Sequence, residues 1–152
     1  MERPFAWLVL GAVISLVGCG QDYPTGLVMR SEMQAVARAS FEVKPSEEAK
    51  FTEFFKQDGK NLTIGEVMSS VAGNGRFKWK SSRLTDAVHF VEVDIVTGIV
   101  ATPIKVTFRA NVETAGVTID GLTIEHATGE RTAGMSFDQY TQLDTYMRIG
   151  RK

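Results

Sequence analysis

The alternation of apolar and polar residues in the second half of the chain predicts β-strands. Arg76–Lys80 alternates basic with aromatic residues, Ala87–Val96 is rich in β-branched residues, and Ile104–Ala110 is apolar at every second position. Val117–Ile124 alternates in the same way but slips by one residue at Gly121, which is typical of a β-bulge. Because short turns join these segments, we predict an antiparallel meander of about four strands.

Helices are predicted both before and after the meander in the chain. A helix is expected to start in Pro45-Ser46-Glu47-Glu48, where Ser46 can cap it, and apolar positions at 51, 54 and 55 give it one face to bury. Thr63–Glu66 and Ser136–Gln139 both have the spacing of a capping box, and the second helix is expected to end around Gly150. The fold class that follows is α+β, with helices covering one face of the sheet.

The segment before these elements is less regular. Gly20–Gly26 contains polar and turn-forming residues without an apolar period, and is predicted to be a tether. Leu27–Val43 begins like a strand and continues with good helix formers, so both interpretations stay open. The simplest organisation is a single α+β domain over residues 27–152.

The N-terminal residues form the strongest signal in the chain. Phe5–Val17 is apolar and uncharged, but it is shorter than the about 20 residues that a membrane-spanning helix needs. A stretch of this length at the N-terminus, followed by small residues, is typical of a secretion signal. An uncleaved signal-anchor and an apolar N-terminal helix of a cytosolic protein are the alternatives.

Leu16-Val17-Gly18-Cys19 resembles the lipobox of bacterial lipoproteins. The resemblance implies that residues 1–18 are a signal peptide, that Cys19 carries the lipid, and that residues 19–26 are the lipidated tether. It also implies a membrane-anchored protein outside the cytoplasm. The resemblance extends to the sorting rule of Gram-negative lipoproteins, in which aspartate after the cysteine favours the inner membrane; since Gly20 follows Cys19 here, it implies the outer membrane in a host that has one.

The composition permits a packed core and argues against several kinds of site. The chain is 43% hydrophobic and 23% charged, which is sufficient for a packed core. A formal net charge of −1 gives no electrostatic reason to bind nucleic acid. The single cysteine excludes an intramolecular disulfide and zinc sites that need several cysteines.

No catalytic motif is apparent in the sequence. Neither a phosphate-binding loop nor a G-x-S-x-G turn occurs. The two histidines, His89 and His126, lie on predicted strands with acidic residues nearby, but they do not have the spacing of a zinc site. We therefore expect no catalytic residues, no metal and no cofactor.

One segment, Arg76–Arg83, has the chemistry of a binding surface. Arg76, Lys78 and Lys80 could contact lipid headgroups or an anionic partner, and Trp79 has a ring suited to a polar–apolar interface. The alternative is structural: Phe77 and Trp79 fill the core while the three cations protect an edge strand.

The order of Thr63-Ile64-Gly65-Glu66, then Trp79, then a Val-rich strand and then Ile104–Phe108 resembles small bacterial lipoprotein domains of unassigned role. The resemblance covers about Leu62 to Glu125; it bears on the fold and brings no activity. The expected function is a non-catalytic binding or structural module of the cell envelope, whose partners are the membrane and an envelope protein or anionic component. An envelope enzyme of the hydrolase type, with an unrecognised site, is the alternative.

Overall fold

A computed structural model of the chain describes residues 22–97, 103–126, 128–134 and 136–143. The helices are α1 (Tyr23–Arg30), α2 (Met33–Ser40), α3 (Glu48–Phe54), α4 (Ile64–Ala72) and α5 (Phe137–Tyr140), and a 3₁₀ turn at Pro45–Glu47 precedes α3. The strands are β1 (Lys56–Gln57), β2 (Lys60–Asn61), β3 (Arg76–Arg83), β4 (Val88–Val96), β5 (Pro103–Asn111), β6 (Gly116–Glu125) and β7 (Arg131–Gly134).

Strands β3 to β7 form one antiparallel sheet in chain order, and β1 and β2 form a separate hairpin. The predicted α+β class and antiparallel meander are confirmed. The sheet has five strands because a short β7 pairs with the end of β6, where Thr132 lies opposite Ile124. The sequence of β7, Arg-Thr-Ala-Gly, lacks the apolar alternation that identifies the other strands.

The two faces of the sheet differ in the way the alternation predicts. Buried side chains on β4, β5 and β6 point to the same side, where Val93 lies opposite Val106 and Val106 lies opposite Leu122. The bulge in β6 is confirmed: Thr107 pairs with Gly121 and Phe108 with Ile119, so the residue between them has no partner. The apolar set therefore stays on the inner face past the slip.

Helices cover this inner face. The backbone N–H of Ile119 donates to Ser40 Oγ at 2.7 Å, which ties α2 to β6. At one end of the core lies a cluster of aromatic rings with centroids 4.3–6.1 Å apart. Its members are Phe41, Phe51, Phe54, Phe55, Phe137 and Tyr140.

The three predicted helix starts are confirmed, but the predicted cap of the first of them is wrong. Thr63 and Glu66 form a reciprocal capping box, in which the Thr63 N–H donates to the Glu66 carboxylate at 2.8 Å, and Ser136 starts α5 in the same way. Ser46 does not cap α3, because it lies inside the 3₁₀ turn that precedes it. Whether α5 extends to Gly150 lies outside the described residues.

The predicted tether is wrong from Asp22 onward, and the strand-like interpretation of Leu27 is wrong as well. Asp22 caps α1 by accepting a hydrogen bond from the Thr25 N–H at 2.9 Å. Pro24 is tolerated in the first turn, where its missing N–H would have no helical partner. Because Val28 is fully buried, α1 belongs to the folded domain and not to a tether.

Candidate functional site

The outward side of the five-stranded sheet, here called the open face, is lined by exposed and half-buried side chains. Its centre is a row of ion pairs running across β3, β4 and β5. Lys80 Nζ lies 3.2 Å from Glu92 and 3.4 Å from Asp94, and Lys105 Nζ lies 3.8 Å from the other oxygen of Asp94. The hydrogen bond with Glu92 and the charge of Asp94 raise the pKa of Lys80. This part of the open face is charge-balanced.

The cations on the open face are also paired with carboxylates toward β6 and β7. The Arg109 guanidinium lies 3.1 Å from Asp120 and also 5.4 Å from the ring centre of Phe90. Arg131 lies 3.7 Å from Glu125. Exposed pairs of this kind contribute about 0–1 kcal/mol each, so their main effect is to leave little unpaired charge on these strands.

Arg76 and Lys78 differ from their neighbours. Both are exposed, and within the described part of the chain neither forms an ion pair. They lie on the open face of β3, which is an edge strand because its one partner in the sheet is β4. The prediction of a basic edge strand is confirmed, and these two cations are its unpaired charges.

Trp79 lies on the opposite face from the three cations. Its ring stacks near Phe108 with centroids 6.4 Å apart, on the side that the helices cover. Among the described residues its indole N–H is buried without a hydrogen-bond acceptor. The four residues of the predicted contact therefore divide into two unpaired cations, one ion-paired lysine and one tryptophan packed against the core.

Phe77 shows where the core prediction was wrong. It shares the inner face with Trp79, but it remains 43% exposed. Alternation predicts correctly which face the ring lies on. It does not predict whether a helix reaches that corner of the sheet, and here the ring is not fully covered.

A groove of about 400 Å³ lies near the end of the sheet where β4 ends and β5 begins. Among its lining residues are two carboxylates, on Asp94 and Glu125, and two cations, on Lys105 and Arg131. Each carboxylate lies within ion-pair distance of one of these cations. The groove can receive a polar ligand, and the carboxylates of Asp94 and Glu125 both line it.

The histidines are not brought into a metal site. His89 is paired with Ala110 inside the sheet, while the ring of His126 hydrogen-bonds to the Thr132 hydroxyl at 2.6 Å. In residues 22–97, 103–126, 128–134 and 136–143, no three metal-ligating side chains come together. Cys19, the predicted lipidation site, lies outside the described residues.

A hydrogen bond between α1 and β3 could not be predicted from the sequence. The Ser81 hydroxyl donates to the Asp22 carboxylate, across 59 positions of sequence. Burial opposes ionisation of this carboxyl, but the hydrogen bonds from Ser81 and Thr25 outweigh it and lower its pKa. The start of α1 is thereby held against the edge strand.

Comparison with known proteins adds no relatives. No protein-family model matches the chain, and no curated protein or solved structure matches it. The helices in the described ranges are all too short or too polar to cross a membrane.

Proposed function

We propose that the protein is a membrane-anchored bacterial lipoprotein whose domain is a non-catalytic binding module of the cell envelope. Cys19 carries the lipid, and the domain lies outside the cytoplasm. In a host with an outer membrane, the lipid anchors the domain to that membrane. Arg76 and Lys78 bind an anionic envelope component, which is a protein or a polymer.

The observation that carries the binding role is the contrast in pairing across the open face. Lys80, Lys105, Arg109 and Arg131 all lie within 4 Å of a carboxylate. Arg76 lies opposite Val96 and Lys78 lies opposite Asp94, yet neither cation forms an ion pair with a described carboxylate, since Asp94 is paired with Lys80 and Lys105. Unpaired cations side by side on an exposed edge attract anions more strongly than cations that are already neutralised. The edge of β3 is therefore the described surface best suited to an anionic partner.

The anchoring role is supported by the position of the first helix. Asp22, three residues after Cys19, already caps a helix that is packed into the core. A lipid on Cys19 would therefore hold the domain close to the membrane. This arrangement is consistent with a module that acts at the membrane surface.

The test is in-cell photocrosslinking with a crosslinking residue at Val96, which is exposed and lies directly opposite Arg76 in the sheet. Three chains are compared: the wild type, the double variant Arg76→Glu/Lys78→Glu, and the control Lys44→Glu/Lys60→Glu. The two double variants change the net charge equally, and the control lysines are exposed outside the five-stranded sheet.

We expect a crosslinked product in the wild type and the control, and its loss in the Arg76/Lys78 variant. A product that survives in that variant would exclude this surface, and no product in the wild type would exclude the binding role. A Cys19→Ser chain, run in parallel, should leave the membrane fraction because it cannot accept the lipid.

The enzyme alternative draws on one observation, the groove that contains Asp94 and Glu125. A hydrolase of envelope polymers would need these carboxylates for proton transfer or nucleophilic attack. Incubating the purified chain and an Asp94→Asn/Glu125→Gln variant with isolated envelope polymer separates the two proposals. Release of fragments by the wild type alone would favour the enzyme.

A further inference from the structure

The distance from the proposed lipid to the folded domain is short. Asp22 is three residues after Cys19, and three fully extended residues span at most about 10 Å at 3.3–3.6 Å each. A lipid on Cys19 therefore keeps the start of α1 within about 10 Å of the headgroups. The inference below rests on the proposed lipid anchor.

The start of α1 is also fixed within the domain. Asp22 accepts hydrogen bonds from the Thr25 N–H and from the Ser81 hydroxyl, and Val28 on the same helix is fully buried. These contacts fix the position of Asp22 in the domain, so the lipid is attached next to a defined end of the molecule. The membrane is thus expected to face a defined end of the molecule.

That end is the one at which β3 finishes. Ser81 lies near the end of β3, and the turn from Leu84 to Ala87 follows directly, closed by a hydrogen bond from the Leu84 N–H to the Val88 carbonyl at 2.9 Å. The meander places the β5–β6 turn, which contains Glu113, at the same end, and the β6–β7 turn, which contains Glu130, at the opposite end.

Two apolar side chains are exposed at the anchored end. Tyr23 is 57% exposed and Leu84 is 54% exposed, more than the other large hydrophobic side chains of the described residues. Tyrosine is suited to the headgroup region because its ring is apolar and its hydroxyl is polar, and leucine favours the acyl boundary beneath it. Phe77 and Val96, the other exposed large hydrophobics, lie at the far end of the sheet.

We infer that the end formed by the start of α1 and the β3–β4 turn rests on the phospholipid bilayer, with Tyr23 and Leu84 inserted at the headgroup level. Arg83 at this end is already ion-paired with Asp86, and Asp22 and Glu113 are acidic. The contact therefore depends on apolar insertion and does not require anionic lipid. Lys78 then lies about 10 Å along β3 from Ser81, at about 3.3 Å per residue, directed toward a partner beyond the headgroups.

The experiment uses the lipidated product, which begins at Cys19, reconstituted into phosphatidylcholine vesicles. Cys19 is the only cysteine of the chain, so an introduced cysteine can be labelled alone once Cys19 carries the lipid. Thr85→Cys places a fluorophore at the anchored end, and Glu130→Cys places one at the opposite end; both positions are exposed. Quenching by lipids with a headgroup nitroxide reports the distance of each label from the membrane.

We expect quenching at position 85 to exceed that at position 130 several-fold, and to be unchanged when phosphatidylglycerol is added. Adding Tyr23→Ser/Leu84→Ser to the Thr85→Cys chain should reduce the quenching while the protein stays on the vesicles. Equal quenching at both labels, or stronger quenching at position 130, overturns the orientation. A chain without lipid mass that fails to sediment with the vesicles overturns the anchor itself, so the two failures are distinguishable.

Discussion

Replacing Asp22 should destabilise the domain in a way that a tether residue could not. Asp22→Ala removes the N-cap of α1, which typically costs about 1 kcal/mol. It also removes the hydrogen bond from Ser81, and we assign this bond about 1 kcal/mol, below the usual range for a charged acceptor, because the pair is exposed to water. The expected loss is about 2 kcal/mol, which lowers a urea midpoint by about 1 M for an m-value near 2 kcal/mol/M.

The assay is urea unfolding of the purified chain, followed by circular dichroism, for Asp22→Ala, Ser81→Ala and the double variant. If the two side chains interact as described, the double variant should lose about 1 kcal/mol less than the sum of the single losses. Asp22→Asn is the matched control, because asparagine caps helices as well as aspartate does and should retain most of the cap contribution. Additive losses in the cycle would refute the link between α1 and β3. No loss for Asp22→Ala would refute the capped helix.

The same residue gives a pH dependence whose sign follows from its pKa. Since the folded-state pKa of Asp22 is lowered from the usual 3.8, the ionised carboxylate stabilises the folded state above that value. This contribution is lost as the pH falls through the lower folded-state pKa. The stability difference between wild type and Asp22→Asn should therefore shrink below about pH 4, and a difference that grows with acidity would contradict the assignment.

Two further predictions concern the core and a second cap. Phe108→Ala should cost about 4 kcal/mol, because the ring is fully buried on the central strand beside Trp79; thermal unfolding measures this, and a loss below about 1 kcal/mol would place the ring outside the core. Thr63→Ala should cost about 1 kcal/mol by removing the capping box, whereas Thr63→Ser should retain it; equal losses in the two variants would show that the hydroxyl does not cap α4.

The features that could be predicted from the sequence are those that depend on neighbouring residues. The Thr63–Glu66 and Ser136–Gln139 capping boxes need residues three positions apart, and the β6 bulge needs one residue that shifts the alternation. These local rules decide the backbone conformation whatever the rest of the fold does.

The features that could not be predicted depend on residues distant in sequence. The segment that contains Pro24 and Gly26 has the composition of a turn, yet it forms a helix because Val28 packs into the core and Asp22 is held by Ser81. The exposure of Phe77 depends on which corner of the sheet the helices leave uncovered. Tertiary contacts of this kind override local propensity.

In the candidate site, too, the local features could be predicted from the sequence and the contacts between distant residues could not. The sequence identified Arg76, Lys78 and Lys80 as cations on one side of a strand, and the structure confirms that they are exposed there. Only the pairing with β4 shows that Lys80 is neutralised by Glu92 and Asp94, which are far from it in sequence. The contrast that supports the binding proposal could therefore be seen only in the folded chain.

The proposal that Cys19 carries a lipid can be checked by the intact mass of the chain purified from bacterial membranes. We expect a polypeptide that begins at Cys19 and carries the added mass of a diacylglycerol, while a Cys19→Ser chain lacks that mass. An unmodified polypeptide of all 152 residues would contradict the anchor, and with it the placement of the domain at the membrane surface.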